Sequence, residues 1–152
     1  MKIQSCTILI FGIYLLLGCN QQKSNSDHKE STSEAEKIQN KYHEIMALHD
    51  SIMPLMDPLM QMRWQLQEQL DSLEMAGDEE KAAKINQAIK KLDRADEAMM
   101  SWMRHVKRPE EMKQSPEEVI QYYKEQKKEI KAVREQIKGA IRFAKDSTSH
   151  SP

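Results

Sequence analysis

The amino-acid sequence predicts an all-α fold, an antiparallel three-helix bundle formed by a coiled-coil-like helical hairpin and a third helix. Segment 34–145 favours helix in composition, because it is rich in Glu, Lys, Gln, Met, Ala and Leu and holds only two of the four glycines. Its apolar residues recur every three or four positions, and no stretch alternates as a strand does. Two short breaks divide the segment into three helices, and short connections make neighbouring helices run antiparallel.

The first helix is predicted over about residues 35–76. Its apolar residues follow one another in alternating steps of three and four, and this alternation changes only near the end of the helix. They form a seam that is expected to face the core. The seam consists of Ile45, Leu48, Ile52, Leu55, Leu59, Met62, Leu66, Leu70 and Leu73. Pro54 and Pro58 lie inside this helix, and Asp57 before Pro58 could cap a new helix. Because the seam keeps its register across both prolines, a kinked but continuous helix is favoured.

A glycine turn separates the first helix from the second. Gly77 can adopt the left-handed conformation that ends a helix, and Asp78 can cap the next one. The second helix is predicted over about residues 79–106. Its seam consists of Ile85, Ala88, Leu92, Ala95, Met99, Trp102 and Val106.

A proline break around Pro109 separates the second helix from the third. Ser115 and Glu118 have the spacing of a capping box, so they predict a helix start, and the third helix follows over about residues 116–145. Its seam consists of Val119, Tyr123, Gln126, Ile130, Val133, Ile137, Ala140 and Ala144.

Residues 1–18 have the pattern of a secretory signal peptide. Lys2 gives a positive start, and the apolar run TILIFGIYLLL is too short to span a membrane comfortably. The run is followed by LLGC, which ends at Cys19 and resembles the bacterial lipobox. The resemblance implies cleavage before Cys19 and a diacylglycerol lipid on that residue, which would anchor the protein to a membrane.

Polar segments flank the helical region. Residues 19–33 carry the lipidated cysteine and then a run without apolar residues, so a flexible tether is predicted there, and residues 146–152 are predicted to be a disordered tail. Asn20 stands where lipoproteins of the inner membrane often carry Asp, which favours the outer membrane. No acidic run follows, which favours the periplasmic face. The expected location is therefore the cell envelope of a Gram-negative bacterium.

The stretches HDSIMPLM and LDRADEAMMSWMRHV carry a more particular resemblance. Together with the lipobox, the tether and the glycine turn, they resemble a group of small Bacteroidota lipoproteins often labelled "viral A-type inclusion protein". The resemblance extends from Tyr42 to about Lys145. Its most particular residues are His49, Asp50, Met53, Pro54, Asp96, Met99, Met100, Trp102 and Met103. The label reflects coiled-coil-like periodicity, so the resemblance implies a helical fold and an envelope location and leaves the activity open.

Common catalytic motifs are missing from the sequence. It has no Gly-rich phosphate loop, no G-x-S-x-G and no H-E-x-x-H, and no free cysteine would remain after cleavage before Cys19. Without the signal peptide the chain has 22 basic and 24 acidic residues, a net charge of −2. A non-enzymatic protein that binds no nucleic acid and needs no cofactor to fold is therefore predicted.

Eight of the eleven methionines fall within residues 46–62 or 99–103. Cu(I) and Ag(I) bind thioethers and imidazoles, and helical spacing places several of these groups on shared faces. The candidate copper or silver ligands are His49, Met53, Met56, Met99, Met103 and His105. Methionine is also an ordinary core filler that adapts to irregular gaps, so packing alone is an alternative explanation of the cluster.

A third interpretation of the methionines is a surface that binds a partner. Met46, Met53, Met60 and Trp64 lie off the seam of the first helix on a helical wheel. If the third helix leaves them uncovered, they form a Met/Trp strip suited to holding other helices or a second copy of the chain. The leading functional hypothesis is interaction with an envelope protein or self-association, or a structural role. Soft-metal binding is the alternative.

Overall fold

The computed structural model describes the backbone of residues 25–148 and the side chains of residues 33–148. The all-α prediction is confirmed, because this part of the chain holds helices and no strand. Its elements are α1 (Asn25–Ile52), a 3-10 turn (Met53–Leu55), α2 (Met56–Ala76), α3 (Glu79–His105), a second 3-10 turn (Pro109–Glu111) and α4 (Pro116–Thr148). Among these helices none combines the length and apolar character needed to cross a membrane.

The first predicted helix is a rod of two α-helices joined by the first 3-10 turn. Pro54 lies in the first positions of that turn, where a missing N–H removes no helical hydrogen bond. The backbone stays right-handed and helical on both sides, with φ −94° and ψ −34° at Ile52 and φ −81° and ψ −14° at Leu55. No side chain caps α2, so a new helix capped by Asp57 is not what forms. The seam register continues through the turn.

The hairpin between α2 and α3 turns at Gly77, which has the left-handed φ of 73°. The Gly77 N–H donates to the carbonyl of Glu74 at 3.2 Å, and the Asp78 N–H donates to the carbonyl of Leu73 at 3.1 Å. The Asp78 carboxylate accepts a hydrogen bond from the Lys81 N–H at 3.2 Å and so caps α3. A side chain at position 77 would be strained at this φ, which explains the glycine.

Two tyrosines of α4 hold the C-terminal end of α3. The Tyr122 hydroxyl accepts from the Lys107 N–H at 3.0 Å and donates to the His105 carbonyl at 3.2 Å. The Tyr123 hydroxyl donates to the Lys107 carbonyl at 3.0 Å. Burial raises the pKa of both phenols further above neutral pH, which favours the protonated form that donates these bonds. The Tyr122 hydroxyl thus satisfies a carbonyl group that the end of α3 leaves free, and the Tyr123 hydroxyl satisfies one in the loop that follows.

The predicted capping box at the start of α4 is present. The Glu118 carboxylate accepts from both the N–H and the hydroxyl of Ser115 at 2.9 Å. In return the Ser115 hydroxyl accepts from the Glu118 N–H at 3.4 Å. These bonds lower the pKa of Glu118, because they stabilise its ionised form.

The three seams meet in one core, in which α3 lies antiparallel to α2 and to α4, and α4 also packs against α1. All eight predicted seam residues of α4 are buried. Six of the seven on α3 are buried, and Val106 is half-buried. Five of the nine on the rod are buried, and Leu48, Leu55, Met62 and Leu73 pack against the core from its edge. Ala82 and Ile89, which the seam of the second helix omitted, are also buried.

Both ends of the helical region extend further than the sequence predicted. α1 begins at Asn25, so the backbone of residues 25–33 is helical where a flexible tether was expected. That segment contains no glycine or proline, and extending an existing helix gains one hydrogen bond per ordered residue. α4 continues to Thr148 because Ser147 is buried on the seam, and its hydroxyl donates to the Phe143 carbonyl at 2.8 Å.

Several predictions concern the chain outside the described residues. These are the signal peptide over residues 1–18, the lipid on Cys19, the tether residues 19–24 and the tail residues 149–152. They stay predictions.

Candidate functional site

The rod carries an apolar stripe that begins in the first 3-10 turn. Met53 lies in that turn, Met60 follows seven residues later and Trp64 four residues after that, so the three side chains share one face. Trp64 is 67% exposed and Met53 is 38% exposed, whereas Met60 is half-buried against the core. The stripe lies off the seam, whose residues face the core.

A second stripe lies on the side of α3 that faces α2. Asp93 marks this side, because its carboxylate accepts a hydrogen bond from the Arg63 guanidinium of α2 at 3.3 Å. Met100 and Met103 follow Asp93 by seven and ten residues, so they lie on the same side of the helix. They are 43% and 41% exposed, although Met99 beside them is fully buried.

The bond between Arg63 and Asp93 also reports the register of the two helices, which the turn at Gly77 joins. Because α2 and α3 are antiparallel, this register places Met60 level with Asp96 and Met56 level with Met100. The two stripes therefore form one surface along the groove between the rod and α3. We call it the methionine surface. It consists of Met53, Met60, Trp64, Met100 and Met103, together with Met56, which is half-buried against the core.

A shallow pocket adjoins the methionine surface at Trp64. Its lining residues are Arg63, Trp64, Gln67, Ile89 and Asp93. The Ile89 side chain is buried, and the pair of Arg63 and Asp93 supplies a polar edge. An exposed indole beside an apolar and polar pocket is typical of the anchor positions that dominate binding at protein interfaces.

His49 on α1 stacks on Trp102 of α3. The ring centroids are 5.8 Å apart and the ring planes are inclined by 22°. His49 Nδ1 lies 3.0 Å from a carboxylate oxygen of Asp50, so the tautomer that makes this bond carries its proton on Nδ1. Within residues 33–148, His49 Nε2, Trp102 Nε1 and the side-chain oxygen of Gln126 are buried without a hydrogen-bond partner. Such atoms are uncommon in native proteins, so this region departs from ordinary core packing.

The predicted Met/Trp strip is only partly exposed. Trp64 and Met53 face solvent, whereas Met46 and Met60 are half-buried and pack against the core. Packing therefore accounts for part of the strip, and Trp64 is its main exposed residue.

The predicted soft-metal ligands divide between three places. Met53, Met56 and Met103 belong to the methionine surface, and His49 precedes Met53 by one helical turn. Met99 is buried in the core. His105 lines the groove between α3 and α4, where its Nδ1 lies 2.7 Å from the Ser101 carbonyl oxygen. No group of three or more His, Cys, Asp or Glu side chains in the described chain is placed to hold a metal ion, so a site would depend on thioethers.

Met100 is the candidate residue that the sequence reasoning missed. It adjoins Met99 in sequence, and only Met99 falls on the seam. The spacing of Asp93, Asp96, Met100 and Met103 could have identified a common side of α3. That this side faces α2 follows from the contact with Arg63.

Comparison with protein-family models, curated proteins and solved structures finds no match to this chain. The candidate site is therefore interpreted from its own residues.

Proposed function

We propose that this protein is a non-enzymatic lipoprotein of the bacterial cell envelope whose helical bundle binds another protein, or itself, through the methionine surface. One contrast carries the proposal. α2 and α3 bury most of their seam residues, and yet Trp64, Met100 and Met103 stay exposed on either side of one groove. Contiguous exposed apolar side chains mark interaction sites on protein surfaces, and methionine adapts to varied partners.

The anchor in this proposal is the lipid on Cys19. It is supported by the LLGC motif directly after the short apolar run. Two acyl chains hold a protein at a membrane far more firmly than one, at about 0.8 kcal/mol per buried methylene. The bundle would then face the periplasm from the outer membrane and meet other envelope proteins.

The ionisable groups support a non-enzymatic role. The clearest carboxyl shifts lie at helix ends or in exposed ion pairs. Hydrogen bonds from Ser115 lower the pKa of Glu118, and a hydrogen bond from Lys127 lowers that of Glu44. Capping and ion pairing account for both shifts, so neither indicates acid–base catalysis.

Photocrosslinking in cells tests the proposal. A photoreactive phenylalanine derivative replaces Trp64, and the control variant carries it at Lys128, an exposed residue of α4. We expect position 64 to capture a specific protein, or a second copy of the chain, and position 128 to capture neither. Equal capture from both positions, or none from position 64, contradicts the proposal.

Soft-metal binding is the second candidate function, and the environment of His49 favours it. His49 Nε2 is buried without a partner in the described chain, and Met53 lies one helical turn away. The thioethers of Met53, Met56, Met100 and Met103 belong to one surface. Cu(I) and Ag(I) prefer thioether and imidazole ligands, whereas Zn(II) favours thiolates or several histidines.

Thermal unfolding with Cu(I) under reducing conditions tests this second candidate. A native-state ligand at a hundredfold excess over its dissociation constant stabilises a protein by about 2.7 kcal/mol. We expect the double change Met53→Leu and Met100→Leu to abolish the stabilisation, because leucine keeps most of the volume and removes the sulfur. Met75→Leu is the control, since Met75 is 84% exposed and lies beside the Gly77 turn. Equal responses in all three proteins, or no saturable response, would exclude metal binding by the methionines.

A further inference from the structure

Two unpaired carboxylates border the methionine surface. Asp57 lies on the stripe of the rod, four residues after Met53 and three before Met60. Asp96 lies on the side of α3 that faces α2, level with Met60. Asp57 is exposed and Asp96 is half-buried. Neither has a hydrogen-bond or ion-pair partner among residues 33–148.

The nearby arginines are already engaged. Arg63 bonds to Asp93 at 3.3 Å, and Arg104 bonds to Glu97. Among the aspartates and arginines beside the two stripes, Asp57 and Asp96 lack an ion-pair partner within residues 33–148, and the charge that they leave unpaired is negative. An apolar surface with free carboxylates at its border is complementary to an apolar stripe flanked by cations.

We infer that the methionine surface binds an amphipathic helix whose apolar stripe packs on the methionines and whose Lys or Arg side chains reach Asp57 and Asp96. The inference rests on the proposed function, because it names the class of partner for the same surface. An amphipathic helix can bind in the groove between two antiparallel helices, which is a recurrent mode of helix recognition. Flexible thioether side chains conform to the apolar residues of such a helix.

A second copy of this chain fits the surface less well. A two-fold interface places the same surface on both subunits, so it would bring the carboxylates of one copy to a surface that carries the same negative charge. Juxtaposed like charges oppose association. A basic helix meets the same carboxylates with opposite charge.

Tryptophan fluorescence of the full chain in phosphatidylcholine vesicles provides the readout. The probe is a peptide of about 18 residues, long enough for a stable helix, with Leu at helical spacing and Lys elsewhere. The matched probe has Glu in place of every Lys, and neither contains tryptophan. Trp64 is largely exposed and Trp102 is buried, so covering the surface should shift the emission of Trp64 to shorter wavelength. We expect the shift with the Lys peptide alone, and its loss in Trp64→Phe.

Charge variants test the role of the carboxylates. The double change Asp57→Asn and Asp96→Asn should weaken binding of the Lys peptide about fivefold, the scale of two exposed ion pairs. Glu117→Gln is the control, because Glu117 lies in the first turn of α4 as Asp57 lies in the first turn of α2. It should leave binding unchanged.

The outcomes separate this inference from the function on which it rests. Equal shifts with both peptides, no shift with either, or an unaffected double variant would overturn the basic helix. The proposed function survives any of these results if the photoreactive residue at position 64 still captures a protein in cells. Sedimentation that shows a dimer lost in Trp64→Lys would identify a second copy as the occupant and overturn the inference.

Discussion

α4 and the part of the rod around the first 3-10 turn are built from similar helix-forming residues. They differ in how completely their apolar side chains are buried. Along α4 every predicted seam residue is buried, and Ser115 caps the helix. Within residues 33–148, the side-chain oxygen of Gln126 is the one α4 atom among the buried side-chain atoms without a hydrogen-bond partner. Around the first 3-10 turn the rod exposes Met53, and His49 Nε2 is buried without a partner in the described chain. Departures of this kind cost stability, so they are expected where a protein serves a purpose besides folding.

The largest expected effect comes from the core that both regions share. Leu59 is fully buried on α2, so Leu59→Asp places an unpaired charge in the seam. We expect a loss of about 4 kcal/mol or more in the free energy of unfolding, measured by urea denaturation. Lys128→Asp on the exposed face of α4 should cost less than about 1 kcal/mol. Cooperative unfolding of Leu59→Asp near the wild-type midpoint would show that the core is placed wrongly.

The capping box of Ser115 and Glu118 tests the regular start of α4. Ser115→Ala removes the hydroxyl that accepts from the Glu118 N–H, and we expect it to lower the free energy of unfolding by about 1 kcal/mol. Ser72→Ala is the control, because the Ser72 hydroxyl bonds only to the Glu68 carbonyl within α2. It should be neutral or slightly stabilising. Equal effects in urea denaturation would argue against the capping box.

A substitution at His49 tests the less regular packing around the first 3-10 turn of the rod. His49→Phe keeps an aromatic ring on Trp102 and removes the buried Nε2. Because an unpaired buried polar atom costs stability, we expect the variant to match wild type or exceed it by about 1 kcal/mol. Thermal and urea denaturation of the full chain measure the change. The variant also removes the bond of Nδ1 to the exposed Asp50 carboxylate, which contributes less than about 1 kcal/mol. A loss of about 2 kcal/mol would therefore show that Nε2 has a partner in the folded protein.

The smallest expected effect concerns the contact between α1 and α4. Glu44 accepts a hydrogen bond from Lys127 at 2.7 Å and another from Lys41 at 3.0 Å, which hold its pKa below the usual 4.5. A lowered pKa stabilises the fold above pH 4.5, and this contribution disappears as the pH falls through the folded pKa. Because the pair is well exposed, the contribution is below about 1 kcal/mol. The difference in the free energy of unfolding between wild type and Glu44→Gln should therefore decrease from pH 7 to pH 3. A difference that stays constant would contradict this contribution of the Glu44 contact.

Regularity determines how much of the fold could be predicted from the sequence. Heptad spacing reports burial where helices are regular, so even polar Gln126 was placed correctly in the seam of α4. Where a helix ends depends on where its packing against other helices stops. Polar residues can be helical or non-helical at such an end, so their sequence does not fix it. This explains why α1 begins earlier than predicted, at Asn25, and why α4 extends through Ser147 to Thr148.

The candidate site could be predicted only in part for a related reason. Met53, Met60 and Trp64 share a face of one helix, which spacing alone reveals. Folding the chain back at Gly77 predicts from sequence that Met53 and Met56 come level with residues 99–102. Which side of α3 faces α2 is shown only by the contact of Arg63 with Asp93. The exposure of each residue depends on which neighbouring helix covers it, and no single helix encodes that.

We propose that the stripes of the rod and of α3 form one binding surface that is dispensable for folding. Photocrosslinking from position 103 in cells, with and without Trp64→Lys, tests it across the groove. We expect capture of a partner from position 103 and its loss in the Trp64→Lys variant. We also expect that variant to unfold within about 0.5 kcal/mol of wild type, because Trp64 is exposed. Capture from position 103 that survives Trp64→Lys, or no capture at all, would contradict the claim.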